Sequence, residues 1–382
     1  MKTAFDKMLK PALGKLQKLL PGFGGNFSIG LDLGPERLIL VQMEQVAGRP
    51  SIRAIASLPY PCPRDELLQN PQQLKRLLKE AYAMQPFRGK RVVSCLPPNQ
   101  IKILTIPYRH TEGQPAAPAI VAELRERLEG NLDGMVVDFM TLRQEETASG
   151  KRDALVALAP RDRVVAYLDL LTGAGLEVEA LDIGPAALAR LICHAGSVQA
   201  LDFPRAPNVL LINFGSVSSF LTVIWGRRVM LDRAVEFSES RMLSRLKLLL
   251  EMPEALAMHL LYEESASAAT GNGSPDEARQ IVIEVLRPEI TLLLQEINKT
   301  LVYMASKTRG QSVAMIYLAG NVARYRSLLQ ILREQLNIPV EILNPVAVFA
   351  SETGRVQHAS LGTMAGIALT TGMALREFPE IG

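Results

Sequence analysis

A chain of 382 residues has room for two domains with separate cores, and 48% hydrophobic with 21% charged residues is the composition of a globular protein, not of a disordered one. A net charge of +3, a lone tryptophan (Trp225) and the lack of a basic stripe with interleaved aromatics exclude a nucleic-acid binder. Cys62, Cys95 and Cys193 form no CxxC pair, and His110, His194, His259 and His358 are scattered without an HExxH, so neither a disulfide framework nor a zinc site is implied and the thiols suit a reducing cytosol.

In chain order, residues 1–26 come first as a distinct segment. Phe5, Met8, Leu9, Leu13, Leu16, Leu19 and Leu20 recur at helical spacing, with Lys2, Lys7, Lys10, Lys15 and Lys18 mostly elsewhere. This pattern fits a basic amphipathic helix on an anionic membrane surface; the alternative is a tail docked on its own protein, and Pro11 kinks either one. The segment lacks the long apolar stretch and cleavage site of a signal peptide. From Phe27, "FSIGLDLG" and "RLILVQMEQ" read as strands around the turn Gly34-Pro35-Glu36, with "SIRAIASLPY" a third. A helix over Asn70 to Met84, the strand "KRVVSCLPP", the strand "IKILTIPY", a helix from about Pro118 to Leu128 and the strands "MVVDFMTLRQ" and "DALVALAP" follow. A helix near Arg161 to Thr172, the strand "EVEALDIGP", the helix "AALARLICHAG" and the linker "SVQALDFPRAPN" complete the first half.

The second half opens on "NVLLINFGSVSSFLTVIW", a strand, a small-residue turn and a returning strand, and turns helical from about Ser238. Ser274-Pro275-Asp276-Glu277 has the form of a capping box. It starts a long helix whose Leu286, Ile290, Leu293, Ile297, Leu301 and Met304 share one face. "VAMIYLAG", a helix over Arg324 to Leu336 and "PVEIL" end the pattern. No run reaches the roughly 18 apolar residues of a membrane span. The apolar stretch Leu361 to Leu375, rich in Gly, Ala and Thr, reads as a buried helix packed on a backbone. Alternating strands and helices in both halves define an α/β protein.

Ile29-Gly-Leu-Asp-Leu-Gly34 and Leu210-Leu-Ile-Asn-Phe-Gly215 repeat one design: an apolar strand, a polar residue, an apolar residue, then Gly and a return. Two such hairpins imply related halves facing a cleft. Glycine lets a turn approach phosphate closely, successive N–H groups make an anion nest, and a carboxylate one step before the turn can hold the waters of Mg²⁺. Asn213 stands where the second hairpin would carry that carboxylate.

With these residues the chain resembles the actin-like ATPase superfamily and, within it, the PilM-type pilus assembly proteins, from about Phe27 to the end. "RDALVALAPRDRVVAYLDLLTGAGLEVEALDIGPAALARL" and "LNIPVEILNP" are the stretches most similar to that family. The resemblance implies a duplicated actin-like (ribonuclease H-like) two-domain fold. Domain I would span 27–202 and hold, at 103–180, the small αβ insert shared with the division protein FtsA. Domain II would span 203–354, with a C-terminal helix and tail, 355–382, packing back on domain I. ATP and Mg²⁺ are the implied cofactors. Gly30, Asp32, Gly34, Asn213, Gly215, Ser216, Ser218, Ser219, Gly320 and Asn321 would line the nucleotide, and Asp32 would hold the metal through water.

The departures from the family bear on activity. Pro35-Glu36-Arg37 follows Gly34 where small hydroxylated residues are usual. Asn213 replaces Asp, and Gly184 stands where a Glu would orient water. Phe237-Ser238-Glu239-Ser240 stands at the family's Gly-Gly-Asn/Asp turn, and the adenine-side turn keeps only Ala319-Gly320-Asn321. Losing these groups weakens Mg²⁺ attraction and charge neutralisation in phosphoryl transfer, so hydrolysis is expected to be absent or very slow.

The resemblance thus implies a scaffold at the cytoplasmic face of a bacterial inner membrane. It would bind the cytoplasmic N-terminal tail of a single-span, PilN-like protein, with the assembly motor ATPase as a further partner, by strand addition or in a groove beside the insert. An active actin-like ATPase or a small-molecule kinase is the alternative. Asp182 would be the nearest candidate for a kinase's base, although it falls in the family's "ALD" packing motif. A filament former is the third.

Overall fold

The computed structural model describes residues 27–111, 113–128, 132–142, 151–198, 208–226, 228–262, 275–349 and 366–378. The segment 1–26, the Ser274 cap and His358 lie outside them. In the first half, β1 (Ile29–Leu33), β2 (Arg37–Val46) and β3 (Arg49–Pro59) form an antiparallel meander, and β4 (Arg91–Cys95) lies parallel to β1. The next three strands are β5 (Lys102–Arg109), β6 (Met135–Thr141) and β7 (Lys151–Pro160), and β8 (Glu177–Asp182) runs parallel to β4. In the second half, β9 (Val209–Phe214), β10 (Ser219–Trp225) and β11 (Arg228–Val235) repeat the meander. There β12 (Met315–Gly320) lies parallel to β9, and β13 (Val340–Ile342) parallel to β12.

The orders β3-β2-β1-β4-β8 and β11-β10-β9-β12-β13 are one topology used twice. The sequence repeat at Asp32 and Asn213 therefore extends to whole sheets, and the duplicated actin-like α/β fold is what the chain adopts.

Helices cover both faces of each sheet. On the first, α1 (Pro71–Met84), started by an Asn70 cap on the Gln73 amide, packs with α3 (Arg161–Gly173) around Leu74, Leu78, Tyr167 and Leu171. Its opposite face meets α4 (Gly184–Val198) and the near-C-terminal α10 (Ala368–Ala374). In the second half, α5 (Glu239–Leu249), α6 (Glu254–Tyr262), α7 (Pro275–Lys307) and α8 (Arg326–Gln335) enclose a core with β9, β10 and β12. Leu286, Ile290, Leu293, Ile297 and Met304 of α7 are all buried there, as their spacing predicts, while Leu301 is partly buried against the same core. Pro288 sits inside α7, and Arg245 donates to the Val285 carbonyl three residues before it.

Between the sheets, Val41 and Met43 of the first and Leu211 and Ala319 of the second share one apolar cluster with Leu188 and Leu191 of α4, Phe349 of α9 (Pro345–Phe349) and Ala368 and Ala374 of α10. This shared layer joins the halves.

Strands β5, β7 and β6 form a separate three-stranded sheet in that order, with α2 (Ala116–Arg127) on one face through Ile120 and Leu124. The expected insert ran to residue 180, whereas α3 and β8 belong to the first sheet's layers. A strand-helix-strand run looks the same in sequence whichever sheet takes it, and only the parallel pairing of β8 with β4 decides. The other face of the small sheet, through Ile103, Met140, Leu142 and Leu155, packs against Ala189 of α4 and against Ile224 and Val229 of the second half. Among the described residues no helix is long and apolar enough to cross a membrane.

Candidate functional site: the two hairpin turns

Asp32 is the penultimate residue of β1, opposite Ile39 of β2. Burial pushes its carboxyl up to about 6, against the opposing pull of the Arg64 guanidinium. Arg64 opens a single helical turn after β3, and its Nε and Nη2 donate to the Leu33 carbonyl at 3.1 and 2.6 Å. The Tyr60 hydroxyl lies 2.9 Å from the Gly34 carbonyl and 2.8 Å from that of Arg37, so it closes the turn from the same side. Burial and the Asp32 charge both raise the Tyr60 phenol far above its ordinary range, which keeps it a hydroxyl donor. Pro35 removes one amide from this turn. Burial, and to a lesser extent the charge of the exposed Glu36, raises the Glu239 carboxyl of the second half.

The second turn is held by α5. The Glu239 amide donates to the Gly215 carbonyl at 3.2 Å and the Ser240 amide to the Ser216 carbonyl at 3.0 Å, while Ser238 caps the helix through the Arg241 amide. Two N-terminal amides that would serve an anion are thus spent on the hairpin itself. Glu239 accepts from the Tyr262 hydroxyl and, at 3.4 Å, from the Asn321 amide; Arg324 stacks over the Tyr262 ring at 4.6 Å. This cluster fills the cleft wall where the resemblance implies a glycine turn.

The residues singled out in sequence fall into two groups. Asp32, Asn213, Ser216, Ser218 and Asn321 stand at the two turns and at the end of β12, which pairs with β9 so that Ala319 lies beside Asn213. The side chains of Asn213, Ser216 and Ser218 make no hydrogen bond among the described residues and can reach a ligand. The rest have a use within the fold. A Cβ on Gly30 would stand 2.1 Å from the Thr370 carbonyl of α10, and one on Gly215 would stand 2.3 Å from the Ser218 carbonyl. Gly320, at φ +85°, is held 2.1 Å from the Phe214 carbonyl by the same measure. Gly34 is less tightly held, its nearest neighbour being the Arg37 carbonyl at 3.2 Å. Ser219 is buried and donates to the Phe237 carbonyl at 2.5 Å.

Asp182, the candidate base of a kinase, accepts from Arg190 at 2.9 Å and from the Ile183 amide, and pairs with Arg376 at 3.4 Å. Arg190 also donates to the Gly372 carbonyl, so Asp182 ties α4 to α10 instead of facing a substrate. Gly184, with nothing within 4 Å of where its Cβ would be, leaves open the space a water-orienting Glu would fill.

Sequence reasoning missed Tyr60, Arg64, Tyr262 and Arg324. Their contacts join positions about 20 to 60 residues apart through irregular segments, and no local pattern marks them. A groove of about 560 Å³ between α7 and α8 lies apart from these turns, and its Arg279 and Arg287 are already paired with Gln330 and Glu284.

The model of the family described as type IV pilus assembly protein PilM matches residues 30–378. The chain belongs to that family. Among solved structures it is similar to the PilM-PilN type IV pilus biogenesis complex, at 22% identity over 91% of this chain and 98% of the other, with a TM-score of 0.69. It is also similar to the ethanolamine utilization protein EutJ from Carboxydothermus hydrogenoformans, at 12% identity over 94% and 93%, with a TM-score of 0.50. The PilM family match takes in both hairpins and the small sheet, and it leaves the basic segment at the N-terminus outside.

A nucleotide would find at the second turn the side chains of Asn213, Ser216 and Ser218, which make no hydrogen bond among the described residues. A magnesium ion finds no such fit. Such an ion is held by one or two carboxylates with waters and phosphate oxygens. Of the two carboxylates at the first turn, that of Asp32 is desolvated by burial with a guanidinium already beside it, while Glu36 is exposed.

Proposed function

We propose that this PilM-family chain is a cytoplasmic scaffold of a type IV pilus-like assembly platform that captures the extended cytoplasmic tail of a PilN-like membrane protein. Its cleft binds a nucleotide without turning it over. Support for a tail comes from the named PilM-PilN assembly, and support for how it is held comes from β6.

In β6 the main chain alternates between β7 and an open edge. Leu142 donates to the Asp153 carbonyl and Arg161 to the Gly134 carbonyl, so the even-numbered positions face β7. The odd positions face outward. Met135 donates back to Leu132 and Phe139 to its neighbour Asp138 Oδ1, which leaves the Val137 and Thr141 amides for an added strand. An edge this short, with an exposed charge at Asp138, resists casual pairing yet accepts a selected peptide. Association with an anionic membrane through residues 1–26 accords with exposed Arg88 and Lys90 beside Phe27, whose carbonyl shares the Gln42 side chain with that of Arg88.

The test is fluorescence anisotropy of a labelled N-terminal tail peptide of the PilN-like partner. Val137→Pro deletes an outward amide and leaves the β7 ladder intact. It is expected to weaken tail binding about tenfold or more, roughly 1.4 kcal/mol. Unchanged affinity in a folded variant refutes strand addition at β6. In the same preparations, phosphate release from Mg-ATP is expected to be no faster than in Asp32→Ala, and turnover that this variant abolishes refutes the non-hydrolysing cleft.

A further inference from the structure

The first hairpin turn carries a cation of its own. Arg64 is half-buried, and two of its nitrogens clasp the Leu33 carbonyl, the residue between Asp32 and Gly34. That clasp fixes the guanidinium beside the turn, where it also hydrogen-bonds the Tyr60 side chain. An arginine stays charged at any working pH, offers its donors in a fixed plane and suits phosphate oxygens. The turn has meanwhile become less hospitable to an anion: Pro35 offers no N–H and Glu36 adds a carboxylate. A phosphate between the turns needs positive charge from somewhere. Mg²⁺ would have to approach Asp32 against a resident like charge and keep its octahedral water shell in a turn already closed by Tyr60.

We propose that Arg64 takes the charge-balancing place of a divalent cation at the first hairpin, so that the cleft binds a nucleoside polyphosphate without metal. This rests on the nucleotide-binding reading above and adds how the phosphate charge is met. It also accounts for the missing carboxylate at Asn213, because a site without metal has no use for a second acidic partner.

The test titrates the full chain with a fluorescent N-methylanthraniloyl ATP, once in EDTA and once in millimolar Mg²⁺, with Mn²⁺ binding followed separately by electron paramagnetic resonance. Wild-type affinity is expected to agree within about twofold between EDTA and Mg²⁺, with no stoichiometric Mn²⁺ bound. Arg64→Ala is expected to lose tenfold or more in EDTA and to recover part of it with Mg²⁺, while Arg64→Lys keeps most of the EDTA affinity. Wild-type binding that EDTA abolishes, or an Arg64→Ala variant that binds as well as wild type in EDTA, overturns the proposal even if Arg64→Ala is poorly folded, because the wild-type comparison stands alone. Binding in neither buffer overturns the nucleotide reading and this inference together; binding only with Mg²⁺ overturns this inference alone.

Discussion

Asp32 carries the sharpest residue-scale consequence. Its carboxyl, at about 6 in the fold against 3.8 ordinarily, prefers the protonated form when folded. The folded state then binds more protons than the unfolded one between those values, so this group's contribution to stability is present below pH 4 and lost as pH rises through 6. Asp32→Asn, which is neutral throughout, should therefore gain on wild type with rising pH. The stability difference is expected to grow by about 1–3 kcal/mol between pH 4.5 and 7.5 in urea titrations. A difference that is flat or shrinks with pH contradicts the burial of this carboxylate. Asp32 was legible in the sequence, since a polar residue inside an apolar strand just before Gly asks for a reason. Arg64 was not, because its partner Leu33 is 31 positions away and nothing in "YPCPRD" points to it.

At the scale of elements, glycine shows how one sequence signal has two physical causes. Gly30 reads as room for phosphate, yet the space it leaves is taken by the α10 backbone at Thr370, and Gly372 of α10 meets the Ala187 carbonyl of α4 in the same way. The first sheet and its two central helices approach backbone to backbone. Gly30→Ala is expected to cost about 2 kcal/mol or more, since backbone cannot yield as a side chain can. A denaturation midpoint within error of wild type argues against this close approach. Strand and helix positions were legible because burial follows the period: β9 and β10 read as continuous apolar runs, and α7 as a stripe. What the pattern left open was partnership. The segment from Arg161 to Ala180 was expected in the insert and belongs to the first sheet's layers because β8 pairs with β4, a contact across about 85 positions that no window along the chain contains.

On the scale of the whole molecule, one topology used twice, joined by α4, α9 and α10, makes a cleft whose two turns are differently furnished: a carboxylate and a guanidinium on one side, free amide and hydroxyls on the other. The small sheet rests on α4 and on the far end of β10 and β11, with Thr105 of β5 donating to the Asp232 carbonyl at 3.4 Å. A partner held on that sheet is mechanically continuous with both halves. The proposed capture of a tail turns on the open edge of β6, and amide hydrogen exchange of the full chain with and without the PilN-like tail peptide reads that edge residue by residue. Slowed exchange at Val137 and Thr141, with the amides of the first sheet's edge unchanged, is the expected result. A bound peptide that protects some other strand, or protects none, contradicts capture at β6.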